Sequence, residues 1–120
     1  MATFTKTLLS NSTQGKPIKV VATATTGTTI HATGTSSSII DEVWLYAFNS
    51  STAYVSLTVE YGGTTAPDQN IVISIPPTSG LTLVVPGLIL TGTGGAANTI
   101  TAFASSANVV TISGYVNRIS

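Results

Sequence analysis

The feature that most constrains the fold of this chain is a succession of short segments rich in β-branched and aromatic residues, separated by Gly, Pro, Ser and Asn. Residues 55–61 show the pattern most cleanly, because Val55, Leu57, Val59 and Tyr61 alternate with polar neighbours as on a half-buried strand. No window of about 11 residues has helical periodicity. The sequence therefore predicts an all-β chain of about eight strands.

The predicted architecture is a single-domain β-sandwich, with a jelly roll favoured by the strand count. A polar stretch at residues 10–15 divides the chain into an N-terminal arm, residues 1–15, and a β-sandwich domain, residues 16–120. We expect the arm to be mobile.

Two local predictions follow from the strand patterns. Residues 41–49 are apolar on both faces, which predicts a central strand covered on both sides. Residues 18–25 and 28–33 are β-rich and flank Gly27, which predicts a hairpin.

Charged side chains are scarce. Lys, Arg, Asp and Glu make up 7% of the chain, with formal net charge zero, whereas soluble domains carry about 25%. Thr and Ser supply polarity instead, at 36 of 120 residues. A monomer with so little charge is poorly protected against association. We therefore expect its surface to be covered by copies of itself or by a larger assembly.

Composition also argues against several classes of protein. The chain has no cysteine, hence no disulfide framework or thiolate metal site. Four scattered basic residues give no footprint for nucleic acid, and the longest apolar run, residues 81–90, is too short and too interrupted for a membrane span. Residues 1–10 lack the pattern of a secretion signal, so we expect synthesis in the cytoplasm.

Catalytic motifs are weak. His31, the one histidine, could be oriented by Asp41 or Glu42 and could activate a serine of residues 36–38, but no nucleophile-elbow motif accompanies it. An ordinary half-exposed strand histidine explains it better. Asp41 and Glu42 are adjacent, so they point to opposite faces of a strand and do not form a glycosidase pair. We expect no enzymatic activity.

Ligand motifs are equally sparse. Glu60, Asp68 and Asn70 offer oxygen atoms to calcium, but a solvated loop is favoured because calcium takes six or more oxygen ligands. The glycine-rich residues 92–95 are followed by no lysine and no helix, which argues against a phosphate loop. We expect neither metal nor cofactor.

Aromatic residues could form a carbohydrate platform, and the candidates are Trp44, Tyr46, Tyr54, Tyr61 and Tyr115. Packing in the core or at a subunit interface is the stronger interpretation, because Trp44 and Tyr46 lie in the most apolar strand.

Several segments resemble small β-sandwich virion proteins of tailed bacteriophages, most closely capsid cement or decoration proteins. The resemblance covers roughly residues 39–119 and is carried by Asp-Glu-Val-Trp-Leu-Tyr-Ala-Phe-Asn at 41–49, Leu-Thr-Val-Glu-Tyr-Gly-Gly-Thr-Thr at 57–65, Ile-Pro-Pro at 75–77, Leu-Val-Val-Pro-Gly at 83–87, Ala-Phe-Ala-Ser at 102–105, Ala-Asn-Val at 107–109 and Gly-Tyr-Val-Asn-Arg at 114–118.

The resemblance implies a homotrimer that binds the major capsid protein on the outer head surface and stabilises the shell. It implies no catalytic residue. We expect the contacts to come from Trp44, Tyr46 and Tyr54 as core or trimer anchors, and from Phe4, Leu8 and Leu9 on the arm. The alternative is a fibre, spike, neck or tail domain that binds a receptor or glycan.

Overall fold

A computed structural model describes residues 2–120, in which every regular element is a β-strand. The strands are β1 (Phe4–Leu8), β2 (Ile18–Lys19), β3 (Thr28–Ala32), β4 (Ile40–Asn49), β5 (Val55–Tyr61), β6 (Asn70–Ile75), β7 (Thr82–Thr91), β8 (Thr99–Ala104) and β9 (Val110–Ile119). They form one domain of two antiparallel sheets, which confirms the predicted all-β sandwich.

The five-stranded sheet has the order β1-β9-β4-β7, with β2 also on β9, and the four-stranded sheet has the order β3-β8-β5-β6. Successive strands alternate between the sheets except for two pairs, β1–β2 and β5–β6. This is the connectivity of an eight-stranded jelly roll whose first strand is split, since β1 and β2 share one edge of β9.

The core lies between the sheets and is built by alternation along the long strands. In β4, Val43, Leu45 and Ala47 are fully buried, while Trp44 and Tyr46 point outward and are half-buried. The prediction of a central strand is confirmed, because β4 pairs with both β7 and β9. The predicted cover on both sides is incomplete. No further layer lies over the outer side of β4 within residues 2–120, so the side chains there are only half-buried.

The predicted hairpin of residues 18–25 with 28–33 is wrong. β2 pairs with β9 in the five-stranded sheet, whereas β3 pairs with β8 in the four-stranded sheet. In a jelly roll these successive strands belong to opposite layers, so local β-propensity cannot make them neighbours.

The predicted arm, residues 1–15, contains β1 and part of the following loop. β1 pairs along its whole length with the C-terminal half of β9, from Phe4 opposite Ile119 to Leu8 opposite Tyr115. Met1, the first residue of that segment, lies outside the described residues.

Candidate contact face

The outer surface of the five-stranded sheet combines apolar and aromatic side chains from four strands. Register places Leu8, Tyr115 and Trp44 in one row across β1, β9 and β4, and Phe4, Ile119 and Ile40 in another. Directly paired residues point to the same side of a sheet, so both rows stand on the outer surface. We call this surface the aromatic face; its apolar members are Phe4, Leu8, Ile40, Trp44, Tyr46, Phe48, Leu83, Pro86, Ile89, Tyr115 and Ile119.

Trp44 and Tyr115 form the centre of the aromatic face. Their ring centroids lie 6.3 Å apart with the planes inclined by 14°, and Lys6 Nζ lies 4.8 Å from the centroid of the Tyr115 ring. A cation over an aromatic ring is attracted by the negative charge density of its face. The two rings and the lysine therefore form one cluster across three strands.

Two glycines in the neighbouring strands make room for Trp44, one for its indole and the other for its backbone. A Cβ on Gly87 would come within 2.7 Å of Trp44 Cζ2, and Gly87 itself has φ of +78° at a bulge in β7. A Cβ on Gly114 would meet the backbone carbonyl of Trp44. The position of Trp44 thus depends on glycine in both neighbouring strands.

Glu42 lies beside the cluster and accepts hydrogen bonds from Trp44 and from a neighbouring side chain. Its Oε1 accepts hydrogen bonds from Trp44 Nε1 at 2.8 Å and from Asn117 Nδ2 at 2.9 Å. These bonds, that from Trp44 first, hold the pKa of Glu42 below its ordinary value. The indole N–H of Trp44 is consequently hydrogen-bonded within the sheet.

The structure separates the six residues expected to make contacts. Phe4, 71% exposed, and Leu8, 53% exposed, stand on the aromatic face with the half-buried Trp44 and Tyr46. Leu9 is only 2% exposed and belongs to the core, so it is not available to a partner while β1 is in place. Tyr54 is 69% exposed but lies in the β4–β5 loop, outside the aromatic face.

A second feature is a buried charge cluster between the sheets. His31 is fully buried rather than half-exposed, because a bulge in β3 turns both Ile30 and His31 inward. Asp41 Oδ2 lies 2.8 Å from His31 Nε2, and Arg118 donates from Nε and Nη2 to the two oxygens of Asp41 at 2.7 and 2.9 Å.

The hydrogen bonds define the tautomer of His31. The backbone N–H of Ser10 donates to Nδ1 at 3.0 Å, so Nδ1 is unprotonated and Nε2 donates to Asp41. Ser10 Oγ in turn accepts from the Ala32 amide at 2.7 Å. The cluster therefore fastens the segment after β1 to β3, and within residues 2–120 no serine hydroxyl is hydrogen-bonded to His31 as a nucleophile would be.

The charges of the cluster perturb their neighbours. Burial raises the pKa of Asp41, but hydrogen bonds from Arg118 and His31 outweigh it and the pKa is lowered overall. The bond to Asp41 raises the pKa of Arg118. Burial, together with the charge of Asp41, raises the pKa of Tyr61, whose hydroxyl donates to the Leu88 carbonyl at 2.9 Å.

Glu60, one of the candidate calcium ligands, is enclosed on the outer side of the four-stranded sheet. Its carboxylate accepts from Thr25 Oγ1 at 2.7 Å, the Gly27 amide at 2.8 Å and Thr101 Oγ1 at 2.6 Å. Burial raises the pKa of Glu60, but these bonds lower it overall. Glu60 thus fixes the β2–β3 loop onto β8, a role that the loop's sequence did not reveal.

Residues 2–120 show no metal cluster, pocket or membrane-spanning helix. In that range no three His, Asp or Glu side chains come together as a metal site, and no pocket is present. No helix there is long and apolar enough to cross a membrane. The chain matches no protein-family model and no curated protein.

Proposed function

We propose that this chain is a structural protein of a bacteriophage virion, a cement or decoration protein that binds the outer surface of the head as a homotrimer and stabilises the shell. Its partners are then the major capsid protein and other copies of itself, and its function is non-enzymatic. The observation that carries the proposal is the aromatic face on a jelly-roll sandwich.

The distribution of polarity supports a contact function. Most buried polar side chains are occupied within the chain: Asp41 with His31 and Arg118, and Glu60 with Thr25 and Thr101. Apolar side chains, in contrast, stand exposed on the sheet surface, with Ile89 at 61% and Leu83 at 44%. Exposed apolar patches are typical of protein-interaction sites.

Three of the segments that resemble phage cement proteins lie in the strands that form the aromatic face. Residues 41–49 form nearly all of β4, residues 83–87 contain the Gly87 bulge, and residues 114–118 contain Tyr115. These three segments build the centre of the aromatic face. The segments that carry the resemblance and the exposed apolar side chains therefore belong to the same sheet.

Low charge fits such an assembly. A shell protein presents the same surface to many copies, and neighbouring like charges would repel one another. Hydroxyl groups hydrate a surface without this repulsion. Repeated weak contacts by the subunits of a trimer then give high avidity.

The test is binding to phage heads. Purified protein is mixed with mature heads from which it has been removed, and the particles are pelleted and imaged by cryo-electron microscopy. We expect threefold density on the outer head surface and a higher temperature of head disruption. Density at a fibre, neck or tail, or no binding to the particle, contradicts the proposal.

A further inference from the structure

We infer that the aromatic face is the surface through which copies of this chain contact one another, with Trp44 and Tyr115 at its centre. The inference rests on the proposed function and adds to it the location of the subunit interface. It assigns one occupant, a second copy of the chain.

The two outer surfaces of the sandwich differ in composition. On the four-stranded sheet, Ser56, Thr58 and Thr101 point outward and the β2–β3 loop covers part of β8, where Gly27 packs against the backbone of Ala102. On the five-stranded sheet, no described segment lies over Trp44 and Tyr115. The outer surface of the five-stranded sheet is thus the less covered and the more apolar of the two, since Val72 and Phe103 are the apolar strand residues on the other.

The size of the aromatic face suits a specific interface. β4, β7 and β9 each have 10 residues, so the face is about 33 Å long at a rise of about 3.3 Å per residue. Four strands about 4.8 Å apart make it about 19 Å wide, or roughly 600 Å² of flat sheet before side chains are counted. A stable interface takes about 800 Å² of accessible surface from each partner, which the face reaches in order of magnitude because protruding side chains add to the area of the flat sheet.

The charges on the aromatic face suit a second copy. Lys6, Lys19 and Glu42 stand on this surface, so it carries both signs. Both hydrogen bonds to Glu42 end on Oε1, and no donor among residues 2–120 reaches Oε2. A lysine on β1 or β2 of one copy can therefore pair with Glu42 on β4 of the next copy around a threefold axis, whereas a strongly acidic or basic partner would leave one sign unmatched.

A matched pair of substitutions tests the assignment. Ile89, 61% exposed, lies opposite Glu42 on the aromatic face, and Val72, 64% exposed, lies on the outer surface of the four-stranded sheet. Ile89→Lys places a charge in the interface, yet the new ammonium can pair with Glu42 in the free subunit and so favours folding. Val72→Lys adds the same charge at the same exposure elsewhere. Leu83→Lys is a second variant on the aromatic face.

The measurement is sedimentation velocity with the full chain over a range of concentrations, with circular dichroism to establish folding. We expect the wild type and Val72→Lys to sediment as the same oligomer, and Ile89→Lys and Leu83→Lys to sediment at the 12.2 kDa monomer mass or to raise the dissociation constant at least about tenfold. Folded aromatic-face variants that keep the oligomer, or equal dissociation by Val72→Lys, overturn the inference.

Binding to heads separates this inference from the proposed function. A wild type that stays monomeric yet binds heads overturns the self-contact assignment and leaves the decoration proposal in place. If the wild type forms an oligomer that Ile89→Lys dissociates, but this oligomer does not bind heads, the self-contact assignment is supported and the decoration proposal is contradicted.

Discussion

His31 Nε2 donates to Asp41 Oδ2 at 2.8 Å, and the two side chains, from β3 and β4, join the opposite sheets of the sandwich in a fully buried position. Arg118 of β9 completes the charge balance of Asp41. Since Ser10 donates to the other nitrogen of the same imidazole, one cluster connects the N-terminal segment, both sheets and the last strand.

Replacing Asp41 by Asn tests the contribution of this cluster to stability. The substitution preserves shape but removes the charge that offsets Arg118, and its new amide group points donors toward donors. Hydrogen bonds to charged groups contribute about 1.5–3 kcal/mol. Because the Arg118 side chain is 34% exposed and partly screened by water, we expect a loss of about 2 kcal/mol in urea denaturation.

Asp68→Asn is the control, since Asp68 is exposed in the β5–β6 loop. Its free energy of unfolding should stay within about 0.5 kcal/mol of wild type. Equal effects of the two substitutions would show that the buried cluster makes no special contribution.

Acid should destabilise the fold through Asp41 and Glu60. Hydrogen bonds lower the pKa of both groups in the folded chain, so the unfolded chain takes up protons first as the pH falls below about 4.5. The free energy of unfolding is then fully retained above that range and declines as the pH falls through the lowered pKa values. Urea midpoints measured from pH 7 to pH 3 check this. A smaller acid loss in Asp41→Asn is expected, and a midpoint that rises on acidification contradicts the assignment.

Gly87→Ala should disturb Trp44 directly. The new methyl group would overlap the indole, and alanine at φ of +78° is strained, so we expect a loss of about 2–4 kcal/mol. Trp44 is the sole tryptophan, so its fluorescence reports the displaced ring without interference.

Gly80→Ala is the matched control for backbone strain. Gly80 has φ of +70°, but a Cβ there meets nothing within 4 Å. We expect a loss of only about 1–2 kcal/mol and an unchanged emission spectrum. A similar change in the emission spectrum of both variants would show that a side chain at position 87 does not displace the indole of Trp44 directly.

Alternation along single strands was predictable from the sequence, because it depends on neighbours two residues apart. Val55, Leu57 and Val59 are buried as expected, and β4 is central as expected. The alternating pattern also indicated a sandwich, since strands with one apolar face need a second layer to cover it.

Contacts between strands that are distant in the sequence were not predictable in the same way. Asp41 lies 77 positions from Arg118, and His31 reaches Asp41 only because a bulge in β3 turns it inward. The aromatic face likewise depends on register among β1, β4 and β9. Its aromatic residues were visible in the sequence, but the rows that they form were not.

Leu8 and Leu9 provide a direct test of how the N-terminal segment is held. Adjacent residues of an extended chain point to opposite sides, so Leu8, the last residue of β1, stands on the aromatic face and Leu9, which follows it, enters the core. Leu9→Ala should reduce the free energy of unfolding by about 2–5 kcal/mol, as for other buried leucines. Leu8→Ala should cost less than about 1 kcal/mol at a concentration too low for self-association. Equal, small losses would mean that Leu9 leaves the core in solution and that residues 1–15 behave as a detached arm. A large loss confined to Leu9→Ala means that any mobile part of the segment ends before Leu9, where the Ser10–His31 hydrogen bond fastens it to β3.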